Sequence, residues 1–245
     1  MLQKRLHLIY ICVKINYILG IAAPFFRVRL MKYIRLRVYL PTKGDILVNP
    51  QEVRATLIAR TISVIADEGL DKTTTKAIVT GTGINEAYIY RYFDGKEDLL
   101  SKAFDFLDNE LVEKTLEYLP AMYEDGLSTE QCCRNYFFPM WDFLLASREK
   151  CLAYMRYLYS TYFTKLSAAS HRQRFAVVEE KFSKAFIDEA DVWMILNHIF
   201  NIMLSFAVMV HNGHMSEDDD YSEHVFRVTY ASVKQYFKFE RKSEE

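Results

Sequence analysis

The amino-acid sequence predicts an all-α protein. Helix-start signals recur along the chain, and after each of them apolar residues return every three or four positions, which places them on one face of a helix. The polar–apolar alternation of strands and the short turns of hairpins are not found. Within this class we expect an N-terminal three-helix unit of the helix-turn-helix type, joined by a long helix to a C-terminal helical domain.

The first predicted helix begins at Asn49–Glu52. This segment combines an N-cap asparagine, a proline at the first helical position and a glutamate at the third, which together form a strong start signal. Leu57, Thr61 and Ile65 follow at intervals of four and lie on one broad apolar stripe. Gly69 suits the left-handed position that ends a helix.

Two short helices are predicted within residues 74–93. One of the three threonines of Thr73–Thr75 is expected to cap the first of them. Gly83 stands where the turn of a helix-turn-helix needs a positive φ angle, and Asn85 is a good N-cap for the second helix. The capping-box pattern of Asp94–Glu97 then predicts a new helix directly afterwards.

The second short helix, about Asn85 to Phe93, has distinct inner and outer faces. Ile89 and Phe93 are four residues apart and are expected to face inward. Hydroxyl and cationic groups surround the end of this helix, where a phosphate backbone would run: Tyr90, Arg91, Tyr92 and Lys96. Spacing alone leaves two interpretations open, a DNA-binding surface and the ordinary packing of amphipathic helices.

This stretch resembles the TetR/AcrR-type family of bacterial transcription regulators, without a gap, over about residues 50–110. The matching positions are Gly69, Thr74, Thr75, Ile78, Gly83, Ile84, Tyr90, Phe93, Lys96, Glu97 and Leu99. The resemblance implies a cytoplasmic, sequence-specific DNA-binding regulator, most simply a repressor, rather than an enzyme. It also implies a homodimer on a near-palindromic double-stranded operator and a small-molecule effector of unknown identity, with no cofactor.

The resemblance also assigns roles to individual residues. It implies contacts to phosphates from the start of the second helix and from the region around the end of the third: Thr74, Thr75, Lys76, Tyr90, Tyr92 and Lys96. It implies a set of residues that face the DNA groove: Asn85, Glu86, Ala87, Tyr88 and Arg91. Glu86 departs from the family, because an acid stands where a neutral or basic residue is commoner. A glutamate here can accept from cytosine or simply stabilise the start of the helix.

We expect three regions: an extension at 1–49, the helix-turn-helix domain at 50–110, and a helical effector-binding and dimerisation domain at 111–245. The linking helix is predicted from about Asp94 to Leu119. A capping box at Ser128–Gln131 begins the next helix, which runs to about Arg148. Further helices are expected at roughly 148–167, 170–187, 189–212 and 220–239.

The C-terminal domain is rich in aromatic residues and contains one helix that is apolar almost all round, from Asp188 onward. Such a helix is buried on all sides or lies in a membrane, and the family resemblance favours a dimer interface. The polar stripe of Asn197, Asn201 and Ser205 faces either that interface or a ligand pocket. Our candidate pocket residues are Trp141, Tyr154, Tyr157 and Asn201.

Charge is divided unevenly, with a net +8 over residues 1–50 and −9 over the remainder. DNA affinity must therefore come from local placement of cations. The basic and apolar extension is either upstream sequence preceding a true start at Met31, a membrane segment, or a basic arm that follows DNA. A membrane segment is the basis of an alternative function, a membrane-associated or protein-binding adaptor with a vestigial helix-turn-helix.

The sequence gives little support for other chemistry. Cys132 and Cys133 are adjacent, which suits buried reduced thiols and leaves open a redox sensor, and none of the four cysteines has metal-ligand spacing. His211 and His214 precede an acidic run and are expected in a surface loop rather than a metal site. No catalytic motif occurs at usable spacing, so we expect no enzymatic activity.

Overall fold

The computed structural model describes residues 49–216 and 218–238. The hypotheses for residues 1–48 and the contribution of Glu217 to the acidic run lie outside the described residues. Among the described residues, no group of three or more histidine, cysteine, aspartate or glutamate side chains is placed to hold a metal ion.

The described chain is built of nine α-helices, which confirms the all-α class. They are α1 (Pro50–Glu68), α2 (Thr75–Val79), α3 (Ala87–Tyr92), α4 (Lys96–Tyr118), α5 (Thr129–Leu145), α6 (Arg148–Leu158), α7 (Ala168–Phe182), α8 (Val192–His211) and α9 (Asp219–Val233). Short 3-10 segments follow α4 (Leu119–Tyr123) and α9 (Lys234–Tyr236), and a π-helical turn (Phe163–Ser167) precedes α7. We call α1–α3 the helix-turn-helix unit and α5–α9 the body; α4 joins them.

Helix starts follow the capping residues closely. The Asn49 side chain accepts a hydrogen bond from the Gln51 amide (3.0 Å), and Ser128 forms both halves of a capping box with Gln131. Of the three candidate threonines, Thr74 caps α2, accepting from the Ala77 amide at 3.1 Å. These side chains satisfy backbone donors that the first helical turn leaves unpaired.

The predicted capping box at Asp94–Glu97 is wrong. Gly95, with φ +103°, precedes α4 and offers no side-chain cap. The Asp98 carboxylate instead accepts from the Asp94 amide at 3.0 Å. Asp98, one residue after the predicted Glu97, therefore binds the backbone just before α4.

The predicted single helix over 148–167 is also wrong, because α6 ends at Leu158. The Ser160 hydroxyl donates to the Tyr157 carbonyl (2.6 Å) and accepts from the Phe163 amide (3.3 Å). A serine that bonds to nearby backbone in this way offers an alternative to helical pairing. The chain then re-enters helix through the π turn and continues directly into α7.

Two apolar cores lie along the described chain. The smaller one, in the helix-turn-helix unit, contains Val53, Leu57, Ile78, Ile89, Phe93 and Leu99. The larger one fills the body and takes in Ile62, Ile65 and Ala66 from the second half of α1. Helix α1 is therefore shared, its first half belonging to the small core and its second half to the large one.

Helix α6 holds the shared end of α1. The two helices pack together, and the Arg156 guanidinium donates to the Ile65 carbonyl at 2.8 Å. Arg148 pairs with Asp67 at 3.3 Å on the surface. The helix-turn-helix unit is thus attached to the body through α6 as well as through α4.

Helix α8 is long and apolar enough to span a membrane, with a mean hydropathy of 1.7, and is alone in this among the described helices. It packs on α5, α6, α7 and α9, and 33% of its apolar stretch is buried. Its polar stripe is not fully buried, since Ser205 is exposed and Asn197 and Asn201 are half-buried.

Burial controls the chemistry of two thiols. Desolvation raises the pKa of both Cys133 and Cys151 to about 12, because an apolar setting disfavours the thiolate. The thiolate is the reactive form, so Cys133 is a poor candidate for the redox role that the sequence left open for the Cys132–Cys133 pair.

We expect Cys133 and Cys151 to resist iodoacetamide at pH 8 in the folded protein, since burial raises the pKa of both thiols to about 12, well above that pH. Tandem mass spectrometry would measure alkylation at each position, with the urea-unfolded protein as the control. Alkylation as fast in the native as in the unfolded protein would contradict this burial.

Phe104→Ala should lower the free energy of unfolding by about 3–5 kcal/mol, because the ring is fully buried and a cavity would remain. Phe104 is 1% exposed and stacks on Tyr157 with ring centroids 4.6 Å apart. The matched control is Phe106→Ala on the same helix, where the ring is 48% exposed and the expected loss is below about 1 kcal/mol. Urea denaturation followed by circular dichroism measures both, and equal losses would refute this account of the core.

Candidate nucleic-acid interface and body cavity

The turn between α2 and α3 is fixed by two glycines and a threonine. Gly81 and Gly83 have φ angles of +78° and +74°, a region that side chains with a Cβ rarely enter. Between them, the Thr82 hydroxyl donates to the Val79 carbonyl (2.7 Å) and accepts from the Ile84 amide (3.0 Å). The sequence predicted the role of Gly83 but not that of Gly81.

Helix α3 is held by its inner face. Ile89 and Phe93 are 0% and 4% exposed, as predicted, and the Asn85 side chain accepts from the Ala87 amide at 2.9 Å. Tyr90, one residue after Ile89, is 66% exposed. The helix therefore presents a polar and aromatic face to solvent.

Two arginines of α1 fix the ends of the short helices, and sequence reasoning missed both. Arg54 donates to the Tyr92 carbonyl at the end of α3 and its guanidinium lies 4.5 Å from the centre of the Phe93 ring. Arg60 donates to the Thr80 carbonyl after α2 at 3.4 Å. Each arginine complements the carbonyl end of a helix dipole. No local signal marks these residues, since their partners are distant in sequence.

The predicted DNA-contacting residues fall into two groups by exposure. Those exposed to solvent are Thr74, Lys76, Asn85, Ala87, Tyr90 and Arg91. Those that are half-buried are Thr75, Glu86, Tyr88, Tyr92 and Lys96. They lie on α2 or α3, in the residues just before these helices (Thr74, Asn85 and Glu86), or at the first residue of α4 (Lys96).

Aromatic and cationic side chains are interleaved on α3. The Arg91 guanidinium lies 6.0 Å and 5.7 Å from the Tyr88 and Tyr92 ring centres, and both tyrosines pack against the small core. The small core thus fixes the two tyrosine rings, and a cation–π interaction holds the Arg91 guanidinium beside them.

Glu86 is bonded within the unit. Its carboxylate accepts from the Thr75 hydroxyl at 2.6 Å, which ties the first turn of α2 to the start of α3. Thr74 and Thr75 thus both have structural partners, since Thr74 caps α2. Any contact that Thr75 or Glu86 makes with DNA has to share or replace this hydrogen bond.

A fully buried carboxylate organises the body. Asp108, on α4, accepts from the Tyr154 hydroxyl (3.0 Å) and lies 2.9 Å from His171 Nδ1 and 2.6 Å from Arg174 Nε. Burial, and after it the Asp108 charge, raises the pKa of Tyr154 well above its usual value. Tyr154 therefore remains a neutral hydrogen-bond donor at physiological pH.

A cavity lies beside this network, between α6, α7 and α8; we call it the histidine cavity. It is lined by Tyr154, Leu158, His171, Phe175, Trp193, Leu196, Asn197, Phe200, Asn201 and Leu204. Its free space is about 20 Å³, room for about one water molecule.

The candidate pocket residues divide between this cavity and the core. Tyr154 and Asn201 line it, and Asn201 also accepts from the Tyr159 hydroxyl at 2.7 Å. Trp141 is buried in α5 against Phe137. Tyr157 is bonded to Ser167 within the core.

The comparisons with known proteins point to one family. A family model described as bacterial regulatory proteins of the tetR family matches residues 57–103. No curated protein matches the chain.

Solved structures share the fold at low sequence identity. A TetR family transcription regulator from Marinobacter aquaeolei VT8 has a TM-score of 0.60 at 18% identity, covering 74% of this chain and 95% of its own. A putative TetR family regulator from Shewanella sp. PV-4 has a TM-score of 0.60 at 13% identity, covering 73% and 96%. A putative TetR family regulator from Vibrio parahaemolyticus has a TM-score of 0.56 at 19% identity, covering 76% and 99%.

The sequence match therefore falls on the helix-turn-helix unit and the first turns of α4, and the structural likeness extends through the body. Residues 57–103 thus match the model of the tetR family of bacterial regulatory proteins, and the chain shares the fold of solved TetR-family transcription regulators.

Proposed function

We propose that this protein is a sequence-specific DNA-binding regulator of transcription, a cytoplasmic homodimeric repressor that responds to a small molecule. The observation that carries this proposal is the outer face of α3. It is polar and aromatic, while the inner face of the same helix is buried in a dedicated small core. A helix anchored in this way can enter a major groove without unfolding its support.

The proposed contacts with DNA use exposed groups and the half-buried Lys96. Lys76 and Lys96 supply ammonium groups and Tyr90 a hydroxyl group for phosphate oxygens, which position the protein but do not read sequence. Asn85, Ala87 and Arg91 are exposed and lie along α3 or immediately before it. Arginine suits guanine O6 and N7, and asparagine suits adenine.

The proposed dimer uses the exposed sides of α8 and α9. These helices are joined at one point by His198 and Ser232, whose side-chain atoms are 3.0 Å apart. Met194 on α8 and Val228 on α9 are 55% and 53% exposed. Large apolar side chains left exposed on neighbouring helices favour burial against a second copy.

The proposed effector site is the histidine cavity. Tyr154 and Leu158 belong to α6, which also holds the end of α1 through Arg156. A ligand that needs more than the present free space would shift α6 and with it the helix-turn-helix unit. Such a ligand changes DNA affinity only if it binds the two arrangements with different free energies.

The proposal is tested by titrating the purified protein with DNA from beside its own gene and from other genomic sites, at several salt concentrations. We expect tight, salt-dependent binding and a two-fold symmetric footprint. Binding no tighter than to random DNA at every site would refute sequence-specific regulation.

Lys96→Ala should weaken binding to specific and random DNA alike and lower the salt slope by about one unit, because one phosphate contact is lost. Lys102→Ala is the matched control on the same helix. Lys102 pairs with Asp105 at 3.2 Å, and its loss should leave the slope unchanged. If affinity falls only for the specific site, Lys96 contacts bases rather than phosphates.

Val228→Glu should raise the dimer dissociation constant at least about tenfold, since a carboxylate would have to be desolvated in an apolar interface. Val177→Glu, at a 38% exposed position on α7, is the control and should leave the dimer intact. Sedimentation velocity over a concentration series measures both. A Val228→Glu protein as dimeric as the parent would exclude this interface.

A further inference from the structure

A second cavity is lined by the 3-10 segment after α4 and by residues of α5, α7, α8 and α9; we call it the aromatic cavity. Its walls include Met122, Phe137, Phe182, Ile199, Phe226 and Phe237. No aspartate, glutamate, lysine, arginine or histidine lines it among the described residues. It is therefore chemically unlike the histidine cavity.

The chain after α9 forms one wall. The Ile187 amide donates to the Tyr236 carbonyl (2.8 Å) and the Lys238 amide to the Ala185 carbonyl (2.9 Å). These bonds hold Phe237 against Phe186, with ring centroids 4.8 Å apart. The Phe237 ring thus covers the cavity, held by two backbone hydrogen bonds and by its contact with Phe186.

Two buried hydroxyls at this site have no hydrogen bond. Tyr136, which lines the cavity, and Thr115, on α4, are 6% and 0% exposed. Neither the Tyr136 hydroxyl nor Thr115 Oγ1 has a hydrogen-bond partner among the described residues. Burial raises the pKa of Tyr136, and the nearby Thr115 hydroxyl offsets only part of this rise, so each is at best a weak partner for the other. Leaving a buried hydroxyl unpaired costs about 1–3 kcal/mol, and such groups in a native fold call for a partner.

We propose that the aromatic cavity binds an uncharged, mainly apolar small molecule with one hydroxyl, carbonyl or amide group, which hydrogen-bonds to Tyr136. The apolar walls accept the body of the ligand, and the tyrosine hydroxyl gains the partner that it lacks. A charged head group is disfavoured because no lining side chain offers a counter-ion to repay its desolvation. This site does not depend on the proposed role in DNA binding.

The ligand has to widen the cavity. The free space is about 40 Å³, which holds a few water molecules at most. Met122 and Met203 line the cavity, and methionine adapts its shape readily. Widening therefore needs rotation of these side chains and of Phe237, with the helices themselves kept in place.

The two tryptophans of the chain report on the two cavities separately. Trp141 stacks on Phe137 of the aromatic cavity, with ring centroids 6.0 Å apart, and Trp193 lines the histidine cavity. In the full-length Trp193→Phe protein, we would titrate 1-octanol, octanoate and octylammonium at neutral pH and follow Trp141 fluorescence. These probes share a chain length and differ in charge.

We expect saturable binding of 1-octanol, with octanoate and octylammonium at least tenfold weaker. No saturable binding of 1-octanol would overturn the site. Equal binding of octanol and either ion would overturn the requirement for an uncharged ligand.

Tyr136→Phe locates the hydrogen bond. It should weaken 1-octanol binding about five- to tenfold. Tyr159→Phe, which removes an exposed hydroxyl bonded to Asn201 of the histidine cavity, is the control and should leave octanol binding unchanged.

Unchanged octanol binding in Tyr136→Phe, or an equal loss in Tyr159→Phe, would overturn the assignment. Circular dichroism checks that each variant folds. If Tyr136→Phe does not fold, Ile199→Phe serves as the second variant, because Ile199 lines the cavity and a larger ring there would fill it. Unchanged octanol affinity in Ile199→Phe would then count against the site.

Discussion

The buried carboxylate of Asp108 constrains the rest of the body. It sits on α4, and its three partners come from α6 and α7: Tyr154, His171 and Arg174. A buried charge that loses one partner is destabilised by several kcal/mol, so these three helices cannot separate cheaply. Rearrangements of the body must therefore carry α4, α6 and α7 as a set, with movement taken up at their outer contacts.

Much of the fold could be predicted because its determinants are local. Caps such as Asn49 and Ser128 act on amides two or three residues away, and Gly83 reports a backbone angle at its own position. The site residues on α3 were predictable for the same reason, since helical periodicity separates its two faces. The early end of α6 was not predicted. The Ser160 hydroxyl bonds to the Tyr157 carbonyl, and such a bond does not interrupt the apolar pattern of the sequence.

What could not be predicted depends on partners far along the chain. The carbonyls that Arg54 and Arg156 bind lie 38 and 91 positions away, and the unpaired state of Tyr136 appears only when every neighbour is placed. Each cavity is linked to α4 by one tyrosine. At the histidine cavity Tyr154 donates to Asp108, and at the aromatic cavity Tyr136 lies near Thr115. Two chemically different environments thus meet a single helix about two turns apart.

The sharing of α1 between two cores also limits how this protein can be recombined. A chimaera that exchanged the helix-turn-helix unit for that of a relative would import new residues at the positions of Ile62, Ile65 and Ala66, which complete the body core. It would also have to offer a carbonyl in register with Arg156. A workable junction therefore lies in the middle of α1, or the exchange also includes the surface of α6 that faces α1. A junction placed only in α4 would leave α1 and α6 with mismatched surfaces.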